Sequence, residues 1–566
     1  MDLGTWPARA RMRLDESARA FAATARNRGL LRAQLAFAAA WTAEWAFTVA
    51  LGVVAFTDGG AGAVGLVAFV RMAPAALLTP ISGAVADRFP RHRVLLWSCL
   101  MRAAATAACG VVLLADGPNA ALYALALLAT AAFTVFRPAH SALLPALCVT
   151  PLELTSANVV RGLLDSLSTL VGPLIAAVLL QVGTATLVFA VAAGCSLAAA
   201  ALLMGISYES PPSEPAQPLA RIARESLDGF RALTRYRAAA LVIGAALAQT
   251  LTRGALNVFL VVVAFDLLQL GSPGVGLLTA LLGVGAVLGS LGASIFVTGR
   301  HLAVIEGIGV ALWGLPLVVT GALAGQPVVM VAMGVIGIGN ALVDVGLFTL
   351  VSRLVPEELL ARVFGVLESL IALTVALGSV ATPFAIDLLG IRGALAVLGS
   401  LAPLFVALAW RGLRSIDASV AHRDEEIEVL KQVPMFRPLP MPAIDLLATH
   451  IRYDDCSTGA EVFRQGDQGG DYYVIVQGEA EVIGDGDVIR TMGPGEGFGE
   501  IALLRHSRRT TTVRARTPLT LLALARRHFV AAVTGYAAAT REANSVVSGR
   551  LARFSPRPGQ GGPDPG

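Results

Sequence analysis

The residues best suited to bind a charged ligand lie near the C-terminus, in the stretch GPGEGFGEIALLRHSRRTTTVRA at 493–515. Gly497 and Gly499 precede a short apolar turn, where exposed backbone N–H groups can bind an anion. Arg509 stands nine residues after Glu500, and its guanidinium fork suits a phosphate. Backbone donors followed by an arginine therefore predict an anion site.

Short β-type runs surround this stretch and must position it. EVFRQG, DYYVIVQG, EAEVIG and DVIRTMG follow one another with Gly or Asp at each corner, a spacing typical of a barrel or roll. Charged helical patterns flank them on both sides. The sequence therefore predicts a linker helix over 413–432, a helix-flanked β-roll domain over 433–553 and a disordered Pro/Gly tail over 554–566.

Two motifs in this region resemble those of cyclic nucleotide-binding domains. The phosphate-binding cassette, F-G-E-x-A-L followed by R-x-A/T-T, is matched by Phe498, Gly499, Glu500, Ala502, Leu503, Arg509, Thr510, Thr512 and Val513. Upstream, GAEVFRQGDQGGDYYVIVQGEAEV at 459–482 matches the same family's strand-and-turn pattern. Both motifs occur in the family's order and at its usual separation.

The resemblance implies a regulatory cyclic nucleotide as ligand. Arg509 would neutralise the cyclic phosphate and Glu500 would accept the ribose 2′-OH. Gly499 and Ala502 would offer backbone N–H groups. Thr510 would contact the phosphate or a guanine amino group, which leaves cAMP and cGMP both open. Two alternatives stay open here: Arg508 replaces Arg509 if the loop shifts by one residue, or the domain keeps the fold without binding nucleotide.

The composition of the whole chain is typical of a membrane protein. Mean hydropathy is +0.70, with 55% hydrophobic and 14% charged residues among 566. Apolar runs of about twenty residues, the length that crosses a bilayer as a helix, recur up to residue 415, whereas 19 of the 39 acidic residues follow it. The sequence therefore predicts a polytopic α-helical membrane domain followed by a soluble one.

Twelve spans are predicted, six on each side of a polar central loop at 207–237. A cytoplasmic segment at 1–29 precedes them, and the two halves cover 30–206 and 238–412. The spans are 31–56, 62–86, 93–115, 119–143, 155–181, 183–206, 238–268, 272–298, 303–324, 327–352, 362–387 and 391–412. Arginines concentrate in the loops of one side, so the positive-inside rule places both termini and the soluble domain in the cytoplasm of a cell-membrane protein.

The loop after the second span reads SGAVADRFPRHR, with Gly83, Asp87, Arg88 and Arg91. It resembles the G-x-x-x-D-R-x-G-R-R/K signature of major facilitator superfamily transporters, with Pro90 where the family has Gly. FRPAHSALLPAL at 136–147 and LVPEELLARVFGVLESL at 354–370 are similar to an efflux branch that exports drugs and siderophores. The resemblance implies two six-helix halves, a small-molecule substrate and a gate at the 83–93 loop.

Ionisable residues within spans are candidate transport residues because they are costly in lipid. Glu44 lies near the middle of the first span, and Asp165 lies one turn from Arg161 in the fifth. A buried carboxylate suits a proton-coupled antiporter, whereas the alternative is an interhelical ion pair. The sequence favours proton handling for Glu44 and leaves both roles open for Asp165 and Arg161. Further members are Arg71, Arg102, Arg253, Asp344 and Glu368.

The sequence thus predicts a secondary transporter, proton-coupled for efflux and regulated by a cyclic nucleotide. The alternative is a membrane-anchored nucleotide receptor without transport. A gated channel is disfavoured because no TVGYG-type filter occurs. No Walker loop, nucleophile–base constellation or metal-spaced Cys/His cluster appears, so we expect no enzyme activity and no metal. The basic residues are explained by membrane topology, so we expect no nucleic acid as a partner. A homodimer formed through the C-terminal helix stays open.

Overall fold

The computed structural model describes residues 27–148, 151–206, 229–231, 233, 235–296, 301–439, 441–448 and 450–554. Most of the predicted N-terminal segment and central loop, and the tail after residue 554, lie outside these residues. The described chain divides into two compact units after Asp417. The first is helical and the second contains every described strand.

The first unit consists of long apolar helices. They are α1 Arg28–Arg88, α2 Arg91–Leu114, α3 Asn119–Thr134, α4 Phe136–Leu147, α5 Pro151–Val182, α6 Ala185–Met204, α7 Arg237–Val262 with a π-helical turn Val263–Leu267, α8 Gly271–Phe296, α9 Leu302–Leu323, α10 Gln326–Leu354 and α11 Glu357–Gln432. Proline begins several of them, as at Pro90 before α2 and Pro118 before α3, since its fixed φ and missing N–H suit a helix start.

Ten stretches of the described residues are long and apolar enough to cross a membrane. Two of these, in α1 and α11, are each longer than one span and are broken at glycine. Gly60 has φ +61° and Gly390 has φ +71°, backbone conformations that favour glycine. Breaking α1 and α11 at these points accommodates the twelve predicted spans.

One predicted span consists of two successive helices, which together form one apolar stretch, Asn119–Leu147. The fourth, predicted as continuous over 119–143, is divided between α3 and α4 at Val135. Pro138 has no N–H to donate to the carbonyl of Thr134, which explains the break. Close helix contacts depend on glycine elsewhere: a Cβ on Gly254 would lie 2.1 Å from the Val375 carbonyl, and one on Gly378 would lie 2.0 Å from the Leu251 carbonyl.

The second unit is a β-roll with flanking helices. Its strands are β1 Ile451–Cys456, β2 Glu461–Phe463, β3 Asp471–Gln477, β4 Ala480–Gly484, β5 Asp487–Met492, β6 Gly497–Phe498, β7 Thr512–Ala515 and β8 Leu519–Ala525. Its helices are α12 Met441–Ala448, α13 Glu500–Leu504, α14 Arg526–Thr534 and α15 Ala537–Phe554. All described pairings are antiparallel, in two four-stranded sheets ordered β1-β8-β3-β6 and β2-β7-β4-β5.

Two apolar clusters hold the roll together. One lies between the sheets and includes Ile475, Phe498 and Leu521. The other joins β3 and β8 to the helices through Phe436, Tyr472 and Phe529, whose rings stack or meet edge to face. Alternation along β3 and β8 sends successive side chains to opposite clusters. The loop from β6 to β7 is thereby fixed at both ends.

Candidate functional site

The loop from β6 to β7 lines a cavity within the second unit. The empty space in and at the mouth of the cavity is about 620 Å³, part of which is open to solvent. Its walls come from β2, β4, β5, β6, α13, β7 and α15. The lining residues are Phe463, Val482, Ile489, Arg490, Met492, Phe498, Gly499, Glu500, Ile501, Ala502, Arg509, Thr510, Thr511, Val513 and Arg550. All five residues predicted for the nucleotide site are among them.

Arg509 is held at the cavity wall by backbone oxygens. Nη1 donates to the Gly499 carbonyl at 2.8 Å and Nη2 donates to the Asp471 carbonyl at 2.7 Å. The guanidinium lies 4.0 Å from the ring centroid of Phe463, and the residue is 5% exposed. Its buried Nε has no hydrogen-bond partner among the described residues. Burial lowers the pKa of Arg509, and Tyr473 and Asp471 oppose that shift.

Arg508 is placed differently from its neighbour. Its Nη1 donates to the Gly466 carbonyl at 2.8 Å, the side chain is exposed, and it does not line the cavity. The main chain at Arg509 is fixed by two bonds to the turn after β2: its N–H donates to Asp467, and its carbonyl accepts from Gly466, both at 2.8 Å. Of the two arginines left open by the sequence, Arg509 is the one at the cavity.

Glu500 supplies the acceptor of the site. It begins α13 after Gly499, whose φ of +94° favours glycine. Glu500 is 1% exposed, and its Oε1 accepts a bond from Arg550 Nη1 at 2.7 Å. The buried Oε2 has no partner among the described residues. Ala502 is buried behind it, and Thr510 is exposed at the cavity rim.

Arg550 is the residue at this site that the motifs did not reveal. It lies on α15, fifty residues after Glu500, and Nη2 also donates to the Gly497 carbonyl at 2.8 Å. The second bond joins α15 to the strand that precedes Glu500. Only a contact across the fold identifies Arg550, because the spacing along the chain gives no signal.

Among the membrane candidates, Glu44 is paired with two arginines from other spans. Arg71 Nη2 donates to Oε1 at 2.8 Å, and Arg102 Nη1 donates to Oε2 at 2.5 Å. The first span contains no basic partner, so the pairing arises only when α1 and α2 pack. This arrangement matches the ion-pair alternative more closely than an isolated proton site.

Asp165 and Arg161 do not contact each other as their spacing suggested. Asp165 Oδ2 lies 3.5 Å from Arg137 Nη2, and these side chains are 36% and 50% exposed. Arg161 Nη1 instead donates to Ser141 Oγ at 3.1 Å. At the predicted gate, Arg91 Nη1 donates to the Ala142 carbonyl at 2.8 Å. The side chains of Gly83, Asp87 and Arg88 lie outside the described residues.

Glu306 is a second residue that the sequence analysis missed. It lies in the first turns of α9, is 0% exposed, and neither carboxylate oxygen has a partner among the described residues. Three and two residues before it, the α9 backbone donates to the Asp417 carboxylate, from Ala303 N at 2.7 Å and from Val304 N at 3.0 Å. Asp417, the last residue of the first unit, therefore caps the start of α9.

Comparison with known proteins identifies both parts. The Major Facilitator Superfamily profile matches residues 34–305, and the Cyclic nucleotide-binding domain profile matches residues 455–536. The chain therefore joins a major facilitator domain to a C-terminal cyclic nucleotide-binding domain, and its many long apolar helices fit a multi-pass membrane protein.

Individual relatives match parts of the chain. The cAMP-dependent protein kinase regulatory subunit of Yarrowia lipolytica is 31% identical over 22% of this chain and 34% of its own length. The Schizosaccharomyces pombe subunit is 29% identical over 34% of this chain and 48% of its own. The chain thus spans half or less of these relatives. The catabolite activator protein of Thermus thermophilus is 26% identical over 21% of this chain and 59% of its own, with a TM-score of 0.20.

Proposed function

We propose that this chain is a secondary transporter that exports a small molecule across the cell membrane and is regulated by a cyclic nucleotide bound in its C-terminal domain. The major facilitator match supports transport of a small solute, and the second match supports a cyclic nucleotide ligand. Cytoplasmic placement of both termini and of the nucleotide domain follows the loop arginines. We take H⁺ as the coupling ion.

One observation carries the nucleotide proposal. The cavity presents a buried donor, Arg509 Nε, and a buried acceptor, Glu500 Oε2, and neither has a partner among the described residues. Leaving such groups unpaired costs about 1–3 kcal/mol each. A ligand that carries an anion beside a hydroxyl would satisfy both, and a cyclic nucleotide carries its phosphate next to the ribose 2′-OH.

Assignment of roles follows this pairing. Arg509 neutralises the cyclic phosphate, since its two backbone contacts are uncharged and leave its positive charge uncompensated by a direct ion pair. Glu500 accepts the ribose hydroxyl. Gly499 and Ala502 line the same wall and offer main-chain donors. Thr510 stands at the rim, where it would contact the phosphate or the base, and cAMP and cGMP both fit this assignment.

Regulation is proposed to use Arg550. Its bonds to Glu500 and Gly497 join α15 to the site within the second unit. A ribose hydroxyl bound at Oε2 would share the single charge of the Glu500 carboxylate with Arg550, which is bound at Oε1, and would thereby weaken the bond that attaches α15. A ligand changes a conformational equilibrium only through its different affinity for the two states, and this sharing of charge provides such a difference.

Proton coupling needs a carboxyl group that can gain and lose H⁺. Glu44 accepts bonds from Arg71 and Arg102 and therefore belongs to an ion-pair cluster. Glu306 is buried with neither oxygen partnered in the described part of the chain. We therefore propose Glu306, rather than Glu44, as the carboxyl group that exchanges H⁺ during transport.

Calorimetry on the full-length protein in nanodiscs, with cAMP and cGMP, tests the nucleotide site. Arg509→Ala should reduce affinity at least about 100-fold, since hydrogen bonds to charged groups contribute about 1.5–3 kcal/mol each. Arg508→Ala is the matched control and should bind as the parent does. If neither nucleotide binds the folded protein, the domain keeps the fold without this ligand.

Transport is tested in inside-out vesicles screened with a library of labelled small molecules. For any solute that moves, the rate is compared with and without saturating cAMP or cGMP on the outside, which is the cytoplasmic face. Equal rates would reject regulation. If no solute moves while nucleotide still binds, the membrane-anchored receptor becomes the better description.

A further inference from the structure

A three-charge cluster lies inside the first half of the bundle. Arg102 is the twelfth of the 24 residues of α2, and Glu44 and Arg71 lie near the middles of the two segments of α1 that meet at Gly60. Side-chain exposure is 16% for Glu44, 5% for Arg71 and 1% for Arg102. The three charges therefore share one depth in the bundle and are shielded from solvent.

Both carboxylate oxygens of Glu44 accept hydrogen bonds, from two arginines and, at 3.3 Å, from Thr48 Oγ1. Oε1 accepts from Arg71 Nη2 at 2.8 Å, and Oε2 accepts from Arg102 Nη1 at 2.5 Å. Arg71 finds a further acceptor in Thr130, whose Oγ1 lies 2.8 Å from its Nε. Thr48 lies 3.5 Å from both Arg71 Nη atoms. Arg71 is thus satisfied by oxygen atoms along its whole guanidinium.

Arg102 is only half satisfied. Its Nε and Nη2 are buried without a hydrogen-bond partner in the described part of the chain. These two nitrogens share one edge of the guanidinium, the edge that binds a carboxylate through two parallel N–H bonds. The face of the group lies 4.3 Å from the ring centroid of Phe133 and 5.8 Å from that of Phe47.

The charges of the cluster do not balance. Two arginines on one carboxylate leave one positive charge, and an uncompensated charge in a dry interior is costly. Aromatic faces offset part of that cost but accept no N–H bond along the free edge. An anion on that edge would restore neutrality and supply both missing acceptors.

We propose that the free edge of Arg102 is a binding subsite for a carboxylate group of the transported solute, held beside the Glu44–Arg71 pair. The proposal rests on the transport function above and specifies the solute as an organic anion. Glu44 and Arg71 act as positioning residues: Glu44 fixes Arg102 through Nη1, so that Nε and Nη2 face away from it. Phe133 and Phe47 exclude water from the face of the guanidinium.

Thermal unfolding of the purified full-length protein tests the subsite without requiring transport. The probes are acetate and benzoate, with acetamide and benzamide as neutral counterparts and chloride as the inorganic anion, in sulfate buffer of matched ionic strength. Binding to the folded state raises the midpoint, and we expect carboxylates to raise it by about 2–4 °C. The amides should leave it unchanged, and chloride should raise it less.

Variants assign the effect to one residue. Arg102→Gln should abolish the carboxylate shift, and Arg102→Lys, which keeps the charge but not the fork, should reduce it to that of chloride. Arg137→Gln is the matched control, since this half-exposed arginine pairs with Asp165 elsewhere. Three results would each overturn the proposal. The carboxylate shift persists in Arg102→Gln; the amides or chloride raise the midpoint as much as the carboxylates do; or neither carboxylate raises it.

The result is separable from that of the transport assay. Carboxylates that stabilise the parent protein through Arg102, while no labelled solute crosses the vesicle membrane, would reject transport and leave the anion subsite standing. Flux restricted to neutral or cationic solutes, with no carboxylate shift, would reject the subsite and leave transport standing.

Discussion

Arg509 in the roll and Arg102 in the bundle are both buried, both lie against a phenylalanine ring, and both have N–H groups without a partner among the residues that the structure describes. They differ in what holds them. Arg509 is fixed by two carbonyls of the main chain, whereas Arg102 is fixed by the carboxylate of Glu44 from another helix. The first site is therefore sensitive to backbone geometry and the second to the balance of side-chain charge.

Removing the shared carboxylate should be the most damaging change in the bundle. Glu44→Gln leaves Arg71 and Arg102 without a counter-charge, and breaking a buried pair in this way costs about 3–5 kcal/mol. Denaturant unfolding of the purified protein measures the loss. Asp165→Asn is the control and should cost at most about 1 kcal/mol, since its pair with Arg137 is partly exposed. If Glu44→Gln and Asp165→Asn lower the free energy of unfolding equally, the buried charges around Glu44 contribute no more to stability than a partly exposed ion pair.

In the roll, a single added methyl group should damage the site. A Cβ on Gly497 would lie 1.8 Å from Tyr472 Oη, so Gly497→Ala should cost about 1–3 kcal/mol and weaken nucleotide binding. Adding Tyr472→Phe should recover only part of that loss, because it removes the contact with Oη but leaves Cζ of the ring 2.6 Å from the added Cβ.

Gly493→Ala is the matched control for this prediction. An added Cβ at Gly493 meets no described atom within 4 Å, so the substitution should leave unfolding and binding unchanged. If Gly497→Ala and Gly493→Ala behave alike, the close approach at Tyr472 does not limit the site.

The attachment of α15 to the site allows a test in which a substitution should raise nucleotide affinity rather than lower it. Arg550→Ala removes the donor to Oε1 and leaves the whole carboxylate charge of Glu500 to a ligand at Oε2, so nucleotide affinity should rise about tenfold, equivalent to about 1.4 kcal/mol. Calorimetry measures the change, with Arg541→Ala on the exposed side of the same helix as control. Lower affinity in Arg550→Ala would mean that this arginine binds the nucleotide rather than competing with it.

The smallest effect is expected at the cap of α9. Asp417→Ala removes the acceptor for Ala303 N and Val304 N and should cost about 1 kcal/mol of stability. Ser415→Ala is the control because Ser415 bonds only within its own turn in the described structure. A loss of several kcal/mol, read by thermal unfolding, would show that Asp417 does more than cap the helix.

The residues of the proposed nucleotide site were predictable from sequence because they are close along the chain. The turn at Gly499, the carboxylate at Glu500 and the arginine at Arg509 lie within eleven residues, so short motifs record their order and spacing. All five predicted residues line one cavity. Arg550 was not predicted, because α15 reaches the site only through folding.

The membrane candidates were predicted as residues but not as partners. Burying a charge in an apolar span is visible in sequence, which marked Glu44, Arg71 and Arg102 individually. Helix packing determined that these three meet, and that Asp165 contacts Arg137 instead of Arg161. The side chains of Gly83, Asp87 and Arg88 lie outside the described residues, so their gating role stays a prediction.

Composition and periodicity predicted the two-part architecture and a number of spans that the helices accommodate, and motifs that resemble a known family predicted the loop that lines the cavity. These depend on local properties: apolar length, turn residues and short motifs. Among the described residues, tertiary structure alone decided that one edge of Arg102 has no hydrogen-bond partner, that Arg550 bonds Glu500, and that neither carboxylate oxygen of Glu306 has a partner. Each of these depends on which distant side chains arrive at one point, and hydrogen bonding and charge balance are properties of that meeting rather than of the sequence around any one residue.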